Sequence, residues 1–146
     1  MTVGLGILWF ETFVVSPDEV SARGARDFVS ANLASHDLLP LVDDVRLVVS
    51  ELVTNALLHA RPPVIVNIQE HRVDVLVTVS DASAVLPVAL PSEATALNGR
   101  GVFIVDQVSS EWGANPRVDG GKTVWARFLK DRYVAVPTID LRARPA

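Results

Sequence analysis

The stretch "SELVTNALLHA", residues 50–60, places Glu51, Asn55 and His59 at four-residue steps inside an otherwise mostly apolar segment. Four-residue steps line side chains along one side of an α-helix, so the segment predicts a carboxylate, an amide and an imidazole in one row. A carboxylate can act as a general base, and an amide oxygen is a ligand that Mg²⁺ accepts. The row therefore holds residue types that could act on a metal-bound ligand.

The apolar residues of the same predicted helix determine what surrounds this row. At 100° per residue, one face collects six apolar side chains, namely Leu41, Val45, Val48, Val49, Leu52 and Ala56. Glu51 and Asn55 lie beside this face together with Asp44, and Leu47 and Leu58 lie on the far side of the polar row. Burying a neutral polar group without a partner costs about 2–7 kcal/mol, and a charge costs more. The row therefore lines a cavity for a polar ligand, or it is a helix edge in water; periodicity leaves both open.

An aspartate ends a second apolar stretch, "VLVTVSD", which predicts a strand terminating at Asp81. The following residues, 82–98, carry prolines and small residues without periodicity, and loops of this length are usually functional or mobile. Asp81 could accept a hydrogen bond from an amino group of a ligand. Strand-ending aspartates also commonly just start a turn.

Two glycine-containing segments add further candidates. Gly99 and Gly101 enter a predicted helix with Arg100 between them, an arrangement that lets backbone N–H groups approach phosphate oxygens. The segment is neither a P-loop nor a dinucleotide fingerprint, and a short Gly-x-Gly is common in ordinary turns. In "GGKTVW", Thr123 follows Lys122 at the start of a predicted strand, which by itself indicates a hairpin turn.

Two helices are predicted before these candidates. Ser16 as N-cap, Pro17 at the first helical position and Glu19 three residues after the cap predict the first helix. Its apolar face comprises Val20, Ala25, Phe28, Val29 and Leu33. The second helix is predicted from about Pro40 to Ala60, where Pro62 and Pro63 stop it.

The remaining elements are strands and one short helix. Strands are predicted for "ILWFETFVV", an edge strand, for the hairpin "VIVNIQEH" and "VDVLVTVSD", and for "GGKTVWARF". The short helix is predicted within "GRGVFIVDQVSSEWG". Grouped helices and grouped antiparallel strands predict an α/β (α+β) two-layer sandwich.

The composition limits the class of protein. The 146 residues suit one domain, 1–146, with an N-terminal strand or extension at 1–11 and a fraying tail at 131–146. A net charge of −4 without a Lys/Arg cluster argues against nucleic acid as the main ligand. No apolar run reaches the length of a membrane span, and there is no cysteine and no signal-peptide pattern, so we expect a cytoplasmic protein.

In combination, the four motifs resemble the GHKL, or Bergerat-fold, ATPases, and within them the anti-sigma-factor serine/threonine kinases and their actinobacterial relatives. "ELVTNALLHA" is similar to the N-box, "VTVSDAS" and "NGRGVFIVDQV" to the first and second glycine boxes, and "GKTVWARF" to the last. The resemblance covers roughly residues 12–129. It implies a mixed, mainly antiparallel sheet with helices on one face, and ATP and Mg²⁺ as cofactors.

The resemblance also implies a role for each matching residue. Asn55 would hold Mg²⁺ through the phosphates, and Glu51 would be the general base. Asp81 would accept a hydrogen bond from the adenine amino group, supported by Thr123 through water. The backbone at the second glycine box would wrap the phosphates: Gly99, Arg100, Gly101 and Val102. Residues 82–98 would be the ATP lid, and His59 would serve packing and the helix end.

Two functions follow from the resemblance. The first is a protein kinase that transfers the γ-phosphoryl of ATP to a serine or threonine of an anti-anti-sigma (STAS-type) partner, and that also binds a sigma factor. The second is a nucleotide-binding module that captures a partner with negligible turnover. Two departures matter here: Ser83 stands where many relatives have a glycine, and residues 82–98 contain no Lys or Arg. The phosphate charge would then be met by Arg100, Mg²⁺ and backbone amides, with Lys122 as a further candidate.

Two other classes fit less well, and the assembly stays open. A detached histidine-kinase domain would need a helical hairpin with a phosphoacceptor histidine, which His36, His59 and His71 do not supply. A metal-dependent hydrolase on Asp44, Glu51 and His59 would need ligands that converge, but their angular spread is about 80°. A homodimer would most simply use the apolar N-terminal strand at residues 5–15.

Overall fold

Alternating apolar residues and helical apolar stripes fold into one sheet covered by helices. The computed structural model describes residues 6–16, 18, 21–59, 62–83 and 97–133. The strands are β1 Ile7–Val15, β2 Val64–His71, β3 Asp74–Asp81, β4 Glu111–Pro116 and β5 Lys122–Leu129. The helices are α1 Arg23–Ser35, α2 Val42–His59 and α3 Leu97–Val108, with 3₁₀ turns at Leu39–Leu41 and Lys130–Arg132.

The five strands pair in the order β1-β2-β3-β5-β4, and every pairing is antiparallel. The predicted two-layer α+β fold is therefore confirmed, with an entirely antiparallel sheet among the described strands in place of the mixed one expected. β1 is an edge strand, as predicted, and β2 and β3 form the predicted hairpin.

Strand alternation divides the sheet into two faces. The helix-covered face contributes ten buried apolar side chains to the core: Val15, Val64, Val66, Ile68, Val75, Val77, Val79, Val124, Ala126 and Phe128. The intervening side chains, such as Ile65, Thr78 and Trp125, lie half-buried on the opposite face, called the open face below. A side chain's place in the alternation therefore decides whether it meets the helices.

α2 is the central helix of the covering layer. The six residues predicted for the apolar face of this helix are all buried, with exposed fractions of 5% or less, although Leu41 lies in the 3₁₀ turn that precedes α2. α2 packs against α1 on one side and α3 on the other, and it contacts β3 beneath. Among the described residues, no helix is both long and apolar enough to span a membrane.

The first helix begins later than predicted. α1 starts at Arg23 with Ala22 as N-cap, and no side chain caps it. The Oγ of Ser16 instead accepts a hydrogen bond from the backbone N–H of Asp18 at 3.4 Å. The proposed N-cap thus forms a local turn two residues long, a common competitor of helix capping. Pro17 and Glu19 lie outside the described residues.

The predicted order of elements also lacked one strand. β4, with the sequence "EWGANP", pairs with β5 at the second edge of the sheet. Its sequence, which contains a glycine and a proline, shows no alternation of apolar residues. The segment is a strand because its backbone pairs with β5. Residues 84–96 of the predicted lid and 134–146 of the predicted tail lie outside the described residues, while Tyr133 packs against the core.

Candidate functional site

Glu51 and Asn55 occupy neighbouring turns of α2 and are both half-buried. Buried Val48 and Leu52 lie on one side of them. Leu47 and Leu58 lie on the other side, with exposed fractions of 41% and 58%. Neither Glu51 nor Asn55 makes a side-chain hydrogen bond or ion pair with another described residue. The sequence prediction of a polar row with apolar flanks is therefore confirmed, and the row has hydrogen-bonding capacity left for a ligand.

Asp44, the other acidic residue of this row, already has a partner. Its Oδ2 accepts a hydrogen bond from the Tyr133 hydroxyl at 2.7 Å. Burial, followed by this hydrogen bond and the charge of Asp44, raises the pKa of Tyr133. This contact ties the residue after the last 3₁₀ turn to the first turns of α2, so Asp44 is occupied within the chain.

The described residues contain no group of three or more His, Asp or Glu side chains that could hold a metal ion. Mg²⁺ usually keeps several waters and takes few protein ligands, so such a group is not required for the Mg²⁺ expected at Asn55. The alternative hydrolase site on Asp44, Glu51 and His59 includes a side chain outside the described residues. His59 ends α2, and its side chain lies outside the described part of the chain.

Asp81 ends β3 on the helix-covered face, where it is only 6% exposed. Lys122, directly opposite on β5, reaches both carboxylate oxygens: its Nζ lies 3.0 Å from Oδ1 and 2.9 Å from Oδ2. The backbone N–H of Ser83 also donates to Oδ1 at 2.7 Å. Gly121 lets the backbone before β5 lie close to the backbone at the end of β3, because a Cβ at position 121 would collide with the Asp81 carbonyl oxygen.

Thr123 lies on the open face, away from the Asp81 carboxylate. It is paired with Ser80 across the two strands, and the two hydroxyl oxygens are 2.9 Å apart. The structure thus places Lys122 beside Asp81, and the water-mediated role expected of Thr123 at the adenine edge stays a prediction. The alternation along β5 could have predicted the position of Lys122. Val124, Ala126 and Phe128 face the helices, so Lys122, two residues before Val124, faces them as well.

The second glycine box lies at the start of α3, with Gly99, Arg100, Gly101 and Val102 in its first two turns. The glycines are thus inside the helix, which begins at Leu97, and do not precede it as predicted. The first four N–H groups of any α-helix have no partner within the helix, so this end has donors available for an acceptor. The side chains of residues 97–102 lie outside the described part of the chain.

The ammonium group of Lys122 is bound to Asp81. Lys122 was a candidate for the phosphate charge, but it is 8% exposed and bonded to both oxygens of Asp81. It therefore belongs to the Asp81 end of the site. Asp81, Asn55 and Glu51 come from elements that pack on each other, since α2 contacts β3.

Comparison with known proteins gives one match and one negative result. No curated protein shows significant similarity to the chain. The family model of the histidine kinase-like ATPase domain matches residues 15–128, nearly the range over which the resemblance was noted in the sequence. The match covers well over half of the chain and includes α2, Asp81 and β5. The chain therefore belongs to the histidine kinase-like ATPase domain family, whose ligand is ATP.

Proposed function

We propose that this protein is an ATP-dependent serine/threonine protein kinase of the anti-sigma-factor type. The observation that carries the proposal is the pair Glu51 and Asn55, one turn apart and half-buried, without partners among the described residues of an ATPase-family domain. A base and an amide ligand at this spacing suit phosphoryl transfer, where catalysis depends on positioning and charge stabilisation.

The reaction assigns each residue one task. The carboxylate of Glu51 takes the proton of the incoming hydroxyl, whose oxygen bonds to the γ-phosphorus while the bond to the β,γ-bridging oxygen breaks and ADP leaves. Asn55 holds Mg²⁺, which when bound supplies charge neutralisation at the phosphates. Asp81 accepts a hydrogen bond from the adenine amino group. Residues 99–102 lie at the phosphates, where the N–H groups of the first turn of α3, which have no partner within the helix, donate to phosphate oxygens.

The proposed acceptor is a serine or threonine of an anti-anti-sigma (STAS-type) protein, and a sigma factor is the second proposed partner. Both partners would be met in the cytoplasm. The protein has no cysteine and forms no disulfide bonds, so it does not need an oxidising compartment. This part of the proposal rests on the resemblance of the four motifs to anti-sigma-factor kinases.

A second candidate function is partner capture with ATP as a retained ligand and negligible turnover. Two observations favour it: residues 82–98 contain no Lys or Arg, and Lys122 is bonded to Asp81. Both reduce the number of cations available to stabilise the charge of a transferring phosphoryl group.

Incubation of the purified protein with γ-labelled ATP and STAS-domain proteins encoded in the same genome separates the two functions. Label on a serine or threonine of one partner, lost with Glu51→Ala, supports the kinase. A stable ATP-dependent complex without label supports capture. If ATP does not bind at all, both fail.

We also propose a homodimer through β1. Leu8, Phe10 and Val14 are each about 60% exposed on the open face of this edge strand, whose outer backbone groups have no strand partner among the described residues. An exposed apolar edge strand is a template for pairing with another chain. Light scattering should give a dimer for the wild type and a monomer for Phe10→Lys; equal masses for the two would exclude this interface.

A further inference from the structure

The buried ion pair of Asp81 and Lys122 is costly if stability is its only purpose. The two residues are 6% and 8% exposed. Removing both charges from water carries a desolvation penalty, and apolar replacements of such pairs are often neutral or stabilising. A lysine at this position therefore calls for a reason that goes beyond holding β3 to β5.

The hydrogen-bonding capacity of Asp81 supplies that reason. An ionised carboxylate has about four lone-pair sites on its two oxygens. Oδ1 is 3.0 Å from Lys122 Nζ and accepts from the Ser83 N–H at 2.7 Å, so both of its sites are used. Oδ2 is 2.9 Å from the same Nζ and keeps one site. The carboxylate is thus held at both oxygens with a single acceptor position left.

We infer that Lys122 is a positioning residue for recognition of the nucleotide base: it fixes both oxygens of Asp81 so that the remaining lone pair of Oδ2 meets the exocyclic amino group of adenine. The inference rests on the proposed role of Asp81 in the nucleotide site. Asp81 would still be present without Lys122, but its carboxylate would be buried without a cation and free to turn toward other donors.

Two neighbouring residues of β5 lie on different faces of the sheet. Lys122 faces the helices with Asp81, whereas Thr123 faces the open side with Ser80. Lys122 is therefore the residue of this pair that contacts the Asp81 carboxylate.

The test compares two nucleotides that differ only at the 6-position of the base. The full chain is titrated calorimetrically with Mg·ATP and with the Mg²⁺ complex of purine riboside 5′-triphosphate, which lacks the 6-amino group. In the wild type, ATP should bind about 10- to 100-fold more tightly, the range expected for a hydrogen bond to a charged group. In Lys122→Met, this preference should fall to about twofold or less. The ratio is independent of the folded fraction, because both ligands bind the same folded molecules.

Lys130→Met is the matched control. Lys130 also forms an ion pair with a largely buried carboxylate, since its Nζ lies 2.6 Å from Glu70 Oε2, but it follows the other end of β5. Its removal should leave the preference for ATP unchanged. If Lys122→Met does not fold, Lys122→Gln replaces it and should lower the preference at least about threefold.

The outcomes distinguish the inference from the proposed function. A full preference for ATP in the folded Lys122 variant overturns the inference and leaves the nucleotide site standing. Equal loss in Lys130→Met also overturns it, because the effect would then be general. If the wild type binds neither nucleotide, the proposed function fails together with the inference.

Discussion

The two polar flanks of α2 are half-buried to a similar degree, but they are used differently. On the flank toward α1, the Nη1 of Arg46 donates to Ser30 Oγ at 2.6 Å and to the Arg26 carbonyl oxygen at 3.3 Å. The Nη1 of Arg26 donates to Ser50 Oγ at 3.0 Å, and Arg46 also lies 3.6 Å from Asp27. Each of these polar groups finds its partner inside the chain.

On the opposite flank, Glu51 and Asn55 have no such partners among the described residues. Polar groups at this depth normally carry hydrogen bonds, so a group without one calls for a ligand or water. The α1 flank therefore joins two helices, whereas the Glu51 flank leaves its hydrogen-bonding groups for water or for the proposed ligand. The following predictions test this contrast, beginning with the largest expected effect.

Glu51→Ala should lower the rate of phosphoryl transfer by about 10²- to 10⁴-fold, the usual contribution of a general base, and leave ATP affinity nearly unchanged. Label transfer and calorimetry on the same preparation measure the two quantities. Glu51→Gln keeps the shape and should lose transfer to the same extent. Retained transfer in either variant would place the base elsewhere.

Asn55→Ala should lower Mg²⁺-dependent ATP affinity at least about 10-fold, because changing even an outer-shell partner of a metal ligand typically costs about 10- to 100-fold in metal affinity. Calorimetry with and without Mg²⁺ measures this, and Asn55→Asp, which keeps an oxygen ligand, should retain part of the dependence. The thermal midpoint should stay nearly constant, since Asn55 bonds to no other described residue. Unchanged affinity would remove Asn55 from the metal role.

Arg46→Met should show the reverse pattern on the other flank. It removes hydrogen bonds to Ser30 and to the Arg26 carbonyl, so the free energy of unfolding should fall by about 1–2 kcal/mol. ATP affinity should not change. Denaturant titration and calorimetry measure the two effects, and a loss of ATP binding without a loss of stability would contradict the assignment of the flanks.

Tyr133→Phe tests the partnered end of the Glu51 flank and should have the smallest effect. The loss of one hydrogen bond to Asp44 should lower the free energy of unfolding by about 0.5–1.5 kcal/mol. Burial and this bond raise the pKa of Tyr133 above its ordinary 10.0. A raised pKa means that the neutral phenol stabilises the fold below pH 10 and that this stability is lost as the pH rises further. Thermal unfolding should therefore converge for wild type and variant above pH 10; a constant difference would contradict this account.

Much of the site was predictable because it lies within one helix. The apolar face of α2 and the row of Glu51 and Asn55 follow from helical periodicity, which needs no knowledge of the rest of the chain. The hairpin of β2 and β3 follows likewise from two alternating stretches separated by a short turn. Local patterns of this kind are visible in the sequence because each residue's neighbours on the element are its neighbours in the chain.

Other elements were not visible in local pattern. β4 contains Gly113, whose missing side chain makes room for the ring of Trp125: a Cβ there would lie 2.6 Å from that ring. The requirement for a small residue thus comes from β5. The start of α1 at Arg23, in place of the expected Pro17, is a similar case, because Ser16 bonds within its own turn.

The sequence by itself determined the helix that presents Glu51 and Asn55, the strand that ends at Asp81 and the family to which these motifs point. Only the tertiary structure decided that Asp81 meets Lys122, 41 residues further along the chain, and that Thr123 turns away. The physical reason is register: the antiparallel pairing of β3 with β5 sets which residues are opposite, and a shift of one residue would exchange their faces.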